Sequence, residues 1–253
     1  MDWEKEISRE DLKAFFVRIK RSVWLKVFLA AASFVAFAII TTWQLSLFLI
    51  GGIAIHEYGH MWAMKRYGLT KVRFHFIPFL GGVTIGEGLY PSHKSKALTA
   101  LAGPVFGLAP VPILLGISYL VSSPFWAGMA SIIAFVSFAN LFPLLPFDGG
   151  RIAEAIATTG RKKIEPRIRA AFFVSGYGLA IVMDLETLAL IGIFGALFLR
   201  ESPEVLAKIP KMTSKEAVFV SFLHAGILLA SLALWMLASS FDGSIEIASR
   251  YYR

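Results

Sequence analysis

Long apolar stretches, separated by short polar segments, make up most of the chain. Each contains about 20 residues or more, which at 1.5 Å per residue lets a helix cross a hydrocarbon core about 30 Å thick. The predicted spans are residues 23–43, 45–64, 97–121, 125–146 and 217–239, and a further apolar stretch covers 170–199. The pattern therefore predicts an all-α polytopic membrane protein.

The stretch 170–199 has two interpretations. It contains Asp184 and Glu186, and as one helix it would be about 45 Å long, well beyond the thickness of a bilayer core. Two short helices that turn at these acids would place both carboxylates at the membrane surface, where charge costs little. We favour the hairpin, which gives seven transmembrane helices; a single helix gives six.

The two ends of the chain differ from this membrane core. Residues 1–22 are rich in charge, but their apolar positions repeat with helical spacing, which predicts an amphipathic helix on the membrane surface. We accordingly divide the chain into this segment, a membrane core over 23–199, and a last span with its tail over 200–253.

A short alternating segment lies between the second and third spans. Val72, Phe74 and Phe76 alternate with Arg73 and His75, and Gly81-Gly82 follows. This alternation favours a β-hairpin that turns at the two glycines, although an amphipathic loop lying on the membrane would show the same pattern.

The composition supports a membrane protein and excludes several other classes. Hydrophobic residues make up 57% of the chain and charged residues 17%, against about 45–50% and 25% in soluble domains. An intrinsically disordered chain, a coiled coil and an ordinary soluble domain are therefore excluded. The absence of cysteine excludes disulfide partners, thiolate metal sites and a cysteine nucleophile.

The distribution of positive charge predicts the orientation in the membrane. The net charge is +8, and residues 1–22, 65–96 and 151–169 each contain six Lys or Arg, whereas the connections at 41–46 and 121–124 contain none. Lys and Arg concentrate in loops that remain in the cytosol, so we expect a cytosolic N-terminus with these three segments inside. No nucleic-acid-binding motif accompanies the charge, and no nucleic-acid partner is expected.

The second span contains the sequence His56-Glu57-Tyr58-Gly59-His60. Two histidines four residues apart lie on one face of a helix, where both imidazoles can bind one Zn²⁺ and the intervening Glu57 can act on water there. Ionisable residues inside a span are costly, which makes them functional candidates. The alternative is a polar cluster on the helix face that binds no metal.

Asp148 is the best candidate for a third ligand. It follows two prolines, Pro143 and Pro146, that break the fourth span, and it precedes Gly149-Gly150, which allow close backbone approach. A carboxylate is an acceptable zinc ligand, and the topology places Asp148 at the depth of residues 56–60. The alternative is an ordinary helix end with Pro and Gly as stop signals.

These two motifs together resemble the site-2 proteases, a family of intramembrane zinc metalloproteases. The pattern is HEYGH on one span and Asn-x-x-Pro-x-x-x-x-Asp-Gly on another, with a third span between them. The resemblance implies one Zn²⁺ per chain bound by His56, His60 and Asp148, and Glu57 as the general base. It also implies that Asn140 holds the substrate or the transition state.

Two lesser features support the resemblance. Residues 78–83 resemble the family's membrane-associated β-hairpin segment, which implies substrate binding by Gly81, Gly82 and Val83 together with Asn140; residues 102–104 resemble its small-residue motif. The implied activity is hydrolysis of peptide bonds in or near transmembrane segments of membrane-protein substrates, known as regulated intramembrane proteolysis, with the active site towards the cytosol. The chain differs from much of the family in the lack of a PDZ-like or cystathionine-β-synthase-type domain and in the additional span 217–239.

Two alternative functions remain. A zinc- or proton-coupled transporter also needs ionisable residues in its spans, but would distribute them along a path across the bilayer. A catalytically inactive scaffold of the same fold would be expected to lack Glu57 or a ligand, and the sequence retains all of them.

Overall fold

The computed structural model describes residues 23–77, 81–159, 165–182 and 203–241. The predicted surface helix over 1–22 and the predicted turn at 184–186 lie outside these ranges. The elements in chain order are α1 (Val23–Ile40), α2 (Trp43–Arg66), β1 (Thr70–Ile77), β2 (Gly81–Glu87), α3 (His93–Leu108), α4 (Pro110–Leu120), α5 (Pro124–Asn140), α6 (Asp148–Ala157), α7 (Glu165–Val182), α8 (Pro203–Ala207) and α9 (Ser214–Ser239). The predicted helical fold with one small hairpin is confirmed.

Two helical stretches among the described residues are long and apolar enough to cross a membrane. One is residues 93–120, in which α3 and α4 follow each other almost without interruption, and the other is α9. Parts of α1 and all of α5 are apolar but shorter. The number of spans, six or seven, therefore stays a prediction.

Side-chain caps determine where three of the helices begin. The Thr42 side chain accepts a hydrogen bond from the Leu45 backbone N–H at the start of α2. Reciprocal capping boxes, Ser92 with Ser95 and Thr213 with Glu216, begin α3 and α9. These bonds satisfy backbone N–H groups that a helix leaves without an internal partner.

The predicted fourth span ends earlier than expected. Helix α5 ends at Asn140, residues 141–147 form a loop, and Asp148 begins a separate helix. Pro143 and Pro146 cannot donate backbone hydrogen bonds, so the helix stops before them. The loop folds back onto α6 so closely that a Cβ on Gly149 would lie 2.1 Å from the Leu141 oxygen, and only glycine fits there.

The β-hairpin is confirmed, and the alternative of an amphipathic loop is excluded. Strands β1 and β2 are antiparallel, with Phe76 opposite Gly82 and Ile77 opposite Gly81. The predicted turn at Gly81-Gly82 is wrong, because both glycines lie within β2. Gly81 has φ of +100°, a conformation that L side chains rarely adopt, which explains a glycine where the strand begins.

Helix α2 is central to the fold, and it packs against α1, α3, α5 and both strands. Its longest interface is with α3. Helix α9 lies along α5 and also contacts α3 and α6, so that its Val220 and Ala238 are fully buried. This arrangement places the histidines of α2 between α3, the hairpin and the start of α6.

Candidate metal centre

Three side chains predicted as ligands meet in one buried cluster. His56 Nε2 lies 3.1 Å from Asp148 Oδ2 and 3.1 Å from His60 Nε2, and His60 Nε2 lies 3.2 Å from Asp148 Oδ2. The three residues are between 3% and 5% exposed. Within the described residues this is the group of His and acidic side chains that is placed to hold a metal ion.

The orientation of His60 is set by a backbone group of α3. Its Nδ1 lies 2.8 Å from the Thr99 carbonyl oxygen, which can only accept, so Nδ1–H donates and Nε2 of the neutral ring carries a lone pair. In the neutral ring that lone pair faces a carboxylate oxygen, an arrangement that a cation bound between them stabilises. A ring protonated at Nε2 would instead donate to the carboxylate. Metal-binding histidines typically donate the N–H of their other ring nitrogen to a backbone carbonyl or a carboxylate, as His60 Nδ1 does here.

Glycines on α3 make room for both imidazoles. A Cβ on Gly103 would lie 2.3 Å from His60 Nε2 and 2.8 Å from His56 Nε2. One turn further along, a Cβ on Gly107 would lie 3.3 Å from His56 Nδ1 and 2.8 Å from the Ser137 hydroxyl. Gly103, which belongs to the predicted small-residue motif at 102–104, therefore lies directly against both imidazole rings.

Asp148 owes its position to the first turn of α6. A carboxylate at a helix N-terminus is stabilised by the helix dipole and the free N–H groups there. Arg151 lies one turn later, with its Nη1 3.9 Å from Asp148 Oδ1. Asp148 Oδ2 remains directed at the two histidines.

Glu57 lies beside the cluster and is held against strand β2. Its carboxylate is buried, and its Oε2 accepts a hydrogen bond from the Thr84 hydroxyl at 2.6 Å. A Cβ on Gly82 would lie 2.6 Å from Glu57 Cγ, so the strand can approach the carboxylate only because residue 82 is glycine.

A cavity of about 50 Å³ lies between the cluster and the strand. Glu57, Asn140, Gly82 and Val83 line it together with the three clustered side chains. The Asn140 amide Nδ2–H donates to the Val136 oxygen at 2.9 Å, and its second amide hydrogen and its oxygen are not part of that bond. The structure thus brings Asn140, Gly82 and Val83 to one cavity with Glu57, whereas Gly81 lines a neighbouring cavity.

The model of peptidase family M50 matches residues 44–123 and 117–183, more than half of the chain. The chain belongs to peptidase family M50, the site-2 protease family. The matched residues include the HEYGH sequence, Asn140 and Asp148. The resemblance inferred from these motifs is therefore confirmed.

A protein with a related sequence is a zinc metalloprotease of Methanocaldococcus jannaschii. It is 26% identical over 151 residues, which cover 56% of this chain and 42% of that protein. The chain thus spans less than half the length of this relative. No solved structure matches the chain.

The other three histidines do not belong to the cluster of this M50 protein. His75, His93 and His224 are all buried. His93 Nε2 contacts the Leu206 oxygen at 3.2 Å, and His224 Nε2 contacts the Leu141 oxygen at 2.8 Å. The last contact ties α9 to the loop that leads to Asp148.

Sequence reasoning missed two neighbours of the M50 histidines and glutamate, Thr84 and Thr99. Thr99 contributes a backbone oxygen, which any residue type has, and no sequence signal could have found it. Thr84 contributes a hydroxyl from a strand whose orientation towards α2 is visible only in three dimensions. Both contacts join segments that are more than 20 residues apart.

Proposed function

We propose that this chain is a membrane-embedded metallopeptidase that binds one Zn²⁺ through His56, His60 and Asp148. It hydrolyses peptide bonds in or near transmembrane segments of membrane-protein substrates. The observation that carries the proposal is the convergence of three buried donor atoms within 3.1–3.2 Å of one another, directly beside a buried glutamate.

The donor set fits zinc in type and in spacing. Two imidazole nitrogens and one carboxylate oxygen form a common ligand set for catalytic zinc. Ligand atoms about 2.0–2.2 Å from a tetrahedral zinc lie roughly 3.3–3.6 Å apart, close to the separations in this cluster. When bound, zinc supplies Lewis acidity that polarises a carbonyl and lowers the pKa of water.

Glu57 has the position of a general base. Its carboxylate lines the cavity that the three ligands also line, so a water molecule and a peptide carbonyl in this cavity lie within its reach. Glu57 accepts the proton of the attacking water and later returns it to the leaving amine. Asn140 lines the same cavity and donates its second amide hydrogen to the negative charge that develops on the carbonyl oxygen.

Strand β2 supports an extended substrate. A transmembrane helix must unwind before its peptide bonds can react, since its backbone groups are bonded internally. Among the described residues β2 pairs with β1 alone, and its other edge is available to an unwound segment by strand addition. Gly82 and Val83 line the cavity beside Glu57, which favours these residues and Gly81 as the site of capture.

Two larger cavities extend from the central one along β2. A cavity of about 240 Å³ shares Glu57, Gly82 and Asn140 with it and adds apolar side chains of α1 and α2. On the other side, a cavity of about 250 Å³ shares Thr84 and Arg151 and continues along β2 to Tyr90. An extended peptide that follows β2 therefore passes from one of these cavities, past Glu57, into the other.

The outer surface suits a lipid environment. On α9, Phe222, Leu229 and Met236 are 76%, 64% and 62% exposed and lie seven residues apart, on one face of the helix. A stripe of this kind would make a soluble protein aggregate, but it is typical of helices that face lipid. The charge distribution supports a cytosolic N-terminus and an active site on the cytosolic side.

Purified protein carrying Glu57→Gln tests the catalytic part of the proposal. This substitution removes the base but no ligand, so we expect zinc content to be unchanged and kcat to fall by roughly 10²- to 10⁴-fold. Two substrates separate hydrolysis from unwinding: casein in detergent, and a single-span Leu/Ala peptide in phosphatidylcholine vesicles. Cleavage of casein by Glu57→Gln at the wild-type rate would contradict the role of Glu57. Wild-type protein that cleaves casein but not the single-span peptide would contradict the proposal of a transmembrane substrate.

A further inference from the structure

The shortest hydrogen bond to Glu57 comes from a residue outside both M50 motifs. Thr84 lies in the middle of β2, is 7% exposed, and directs its hydroxyl at Glu57. The Oγ1 atom lies 2.6 Å from Oε2 of the carboxylate and 3.3 Å from the Glu57 backbone oxygen. A hydroxyl has one hydrogen, and the shorter distance indicates that it is donated to the carboxylate.

Gly82, two residues earlier on the same strand, contacts the other part of this carboxylate. A Cβ there would lie 2.6 Å from Glu57 Cγ and 2.9 Å from Oε1. Residues two apart on a strand face the same side, so the face of β2 that carries Thr84 and Gly82 lies directly against Glu57. One of these residues supplies a bond, and the other supplies space.

We propose that Thr84 is a positioning residue for Glu57 in peptide hydrolysis. The inference rests on the proposed function, in which Glu57 is the general base. A glutamate side chain has three rotatable bonds, and a charge-assisted hydrogen bond of 2.6 Å selects one arrangement of them. In that arrangement the carboxylate lines the cavity beside the metal ligands. Without the hydroxyl, Glu57 reaches other rotamers, and the fraction of enzyme that is ready to react falls.

The position of Thr84 also connects the base to substrate binding. The strand that holds Glu57 is the one proposed to receive the unwound peptide, so the peptide and the base share one rigid support. A base must lie within hydrogen-bond reach of the proton that it removes. The hydrogen bond from Thr84 holds the Glu57 carboxylate against β2, and therefore at a fixed distance from a peptide bound along that strand.

Two substitutions separate the hydroxyl from the packing of the side chain. Thr84→Val keeps the shape and removes the hydroxyl, whereas Thr84→Ser keeps the hydroxyl. Thr70→Val is the matched control, because Thr70 lies on β1 of the same sheet and its hydroxyl bonds the exposed Glu87 backbone oxygen at 3.3 Å. We expect Thr84→Val to lower kcat on casein by roughly 10- to 100-fold, as for a lost bond to a charged group. KM and zinc content should remain within about twofold, and Thr84→Ser should restore most of kcat.

A spectroscopic measurement covers the case in which a variant is too unstable for kinetics. The infrared carboxylate band of Glu57 is isolated as the difference between wild type and Glu57→Gln. This band should shift in Thr84→Val and return to its wild-type position in Thr84→Ser. If the valine variant does not fold, the band should shift in Thr84→Ala. In the Glu57→Gln background, Thr84→Val should lower the residual rate no further.

The outcomes distinguish this inference from the proposed function. Wild-type kcat in Thr84→Val, with Glu57→Gln inactive, would overturn the role of Thr84 and leave the function intact. Equal loss of kcat in the Val and Ser variants, or an unshifted infrared band, would overturn it as well. Full activity of Glu57→Gln would instead contradict the proposed function itself.

Discussion

At the scale of single residues, the candidate metal centre depends on glycines, which leave room for the histidine rings. His56 and His60 lie against α3 at a point where Gly103 and Gly107 present bare backbone. Helices approach this closely only when small residues lie at the contact. The positions of the imidazole nitrogens are therefore determined as much by α3 as by α2.

Gly103→Ala should disrupt the centre with one methyl group. The new Cβ would lie 2.3 Å from His60 Nε2, so the ring must rotate away from Asp148, and we expect loss of bound zinc together with activity. Gly116→Ala is the control, since α4 has open space at that position and alanine suits a helix better than glycine. Normal zinc content in purified Gly103→Ala protein would show that α3 does not position the ligands.

At the scale of elements, a buried ion pair joins the helix behind His60 to the helix of Asp148. Lys96 Nζ on α3 lies 3.3 Å from Glu154 Oε2 on α6, and the two side chains are 4% and 6% exposed. Removing one partner of a buried pair leaves an uncompensated charge, whereas replacing both by apolar groups is often neutral. The pair therefore constrains how α3 and α6 lie relative to each other.

Lys96→Met should lower the free energy of unfolding by about 3–5 kcal/mol, because breaking a buried ion pair by removing one member is strongly destabilising. The double variant Lys96→Met/Glu154→Leu should regain a large part of this loss. Lys71→Met is the control, since the Lys71–Glu87 pair is exposed and such pairs contribute about 0–1 kcal/mol. Thermal unfolding in detergent measures all three, and a double variant no more stable than Lys96→Met would contradict the account.

The sequence predicted which side chains lie together in the cluster better than it predicted the boundaries of the elements. The i, i+4 histidines are a local signal, and Asp148 follows from breaks that Pro143 and Pro146 impose nearby. The alternation of apolar and polar residues predicted the hairpin. Its turn was misplaced, because Gly81 and Gly82 pair within β2, and strand pairing, not glycine content, determines where a turn lies. The contacts of Thr84 and His224 join segments that are distant in the sequence, so no local sequence pattern predicts them.

At the scale of the whole molecule, α9 completes a core that the M50 match does not include. The match ends at residue 183, yet α9 packs along α5 and its His224 contacts the oxygen of Leu141. Val220 is fully buried in a cluster with residues of α3 and α6, and Ala238 is fully buried in a cluster with residues of α5. The last helix is therefore part of the fold that supports the candidate metal centre.

Cysteine labelling tests the proposed orientation, and the native chain contains no cysteine. Lys71→Cys, at an exposed position of β1, should react with an impermeant thiol reagent only after permeabilisation, because positively charged segments remain in the cytosol. Ser122→Cys, in the exposed connection after α4, should react in intact cells. Ser249→Cys should react from outside if there are seven spans and from inside if there are six; the reverse pattern at Lys71 and Ser122 would contradict the orientation.

The central claim is that His56, His60 and Asp148 together bind one zinc ion, and the amount of zinc per purified chain tests it most directly. We expect one zinc per chain in the wild type and in Glu57→Gln, and less than about a tenth of that in His60→Ala and Asp148→Ala, because each removes one of three ligands. His224→Gln is the control, since it lies outside the cluster and can still donate to the Leu141 oxygen. Zinc-free wild-type protein prepared in zinc-containing medium, or full zinc content in both ligand variants, would contradict the account.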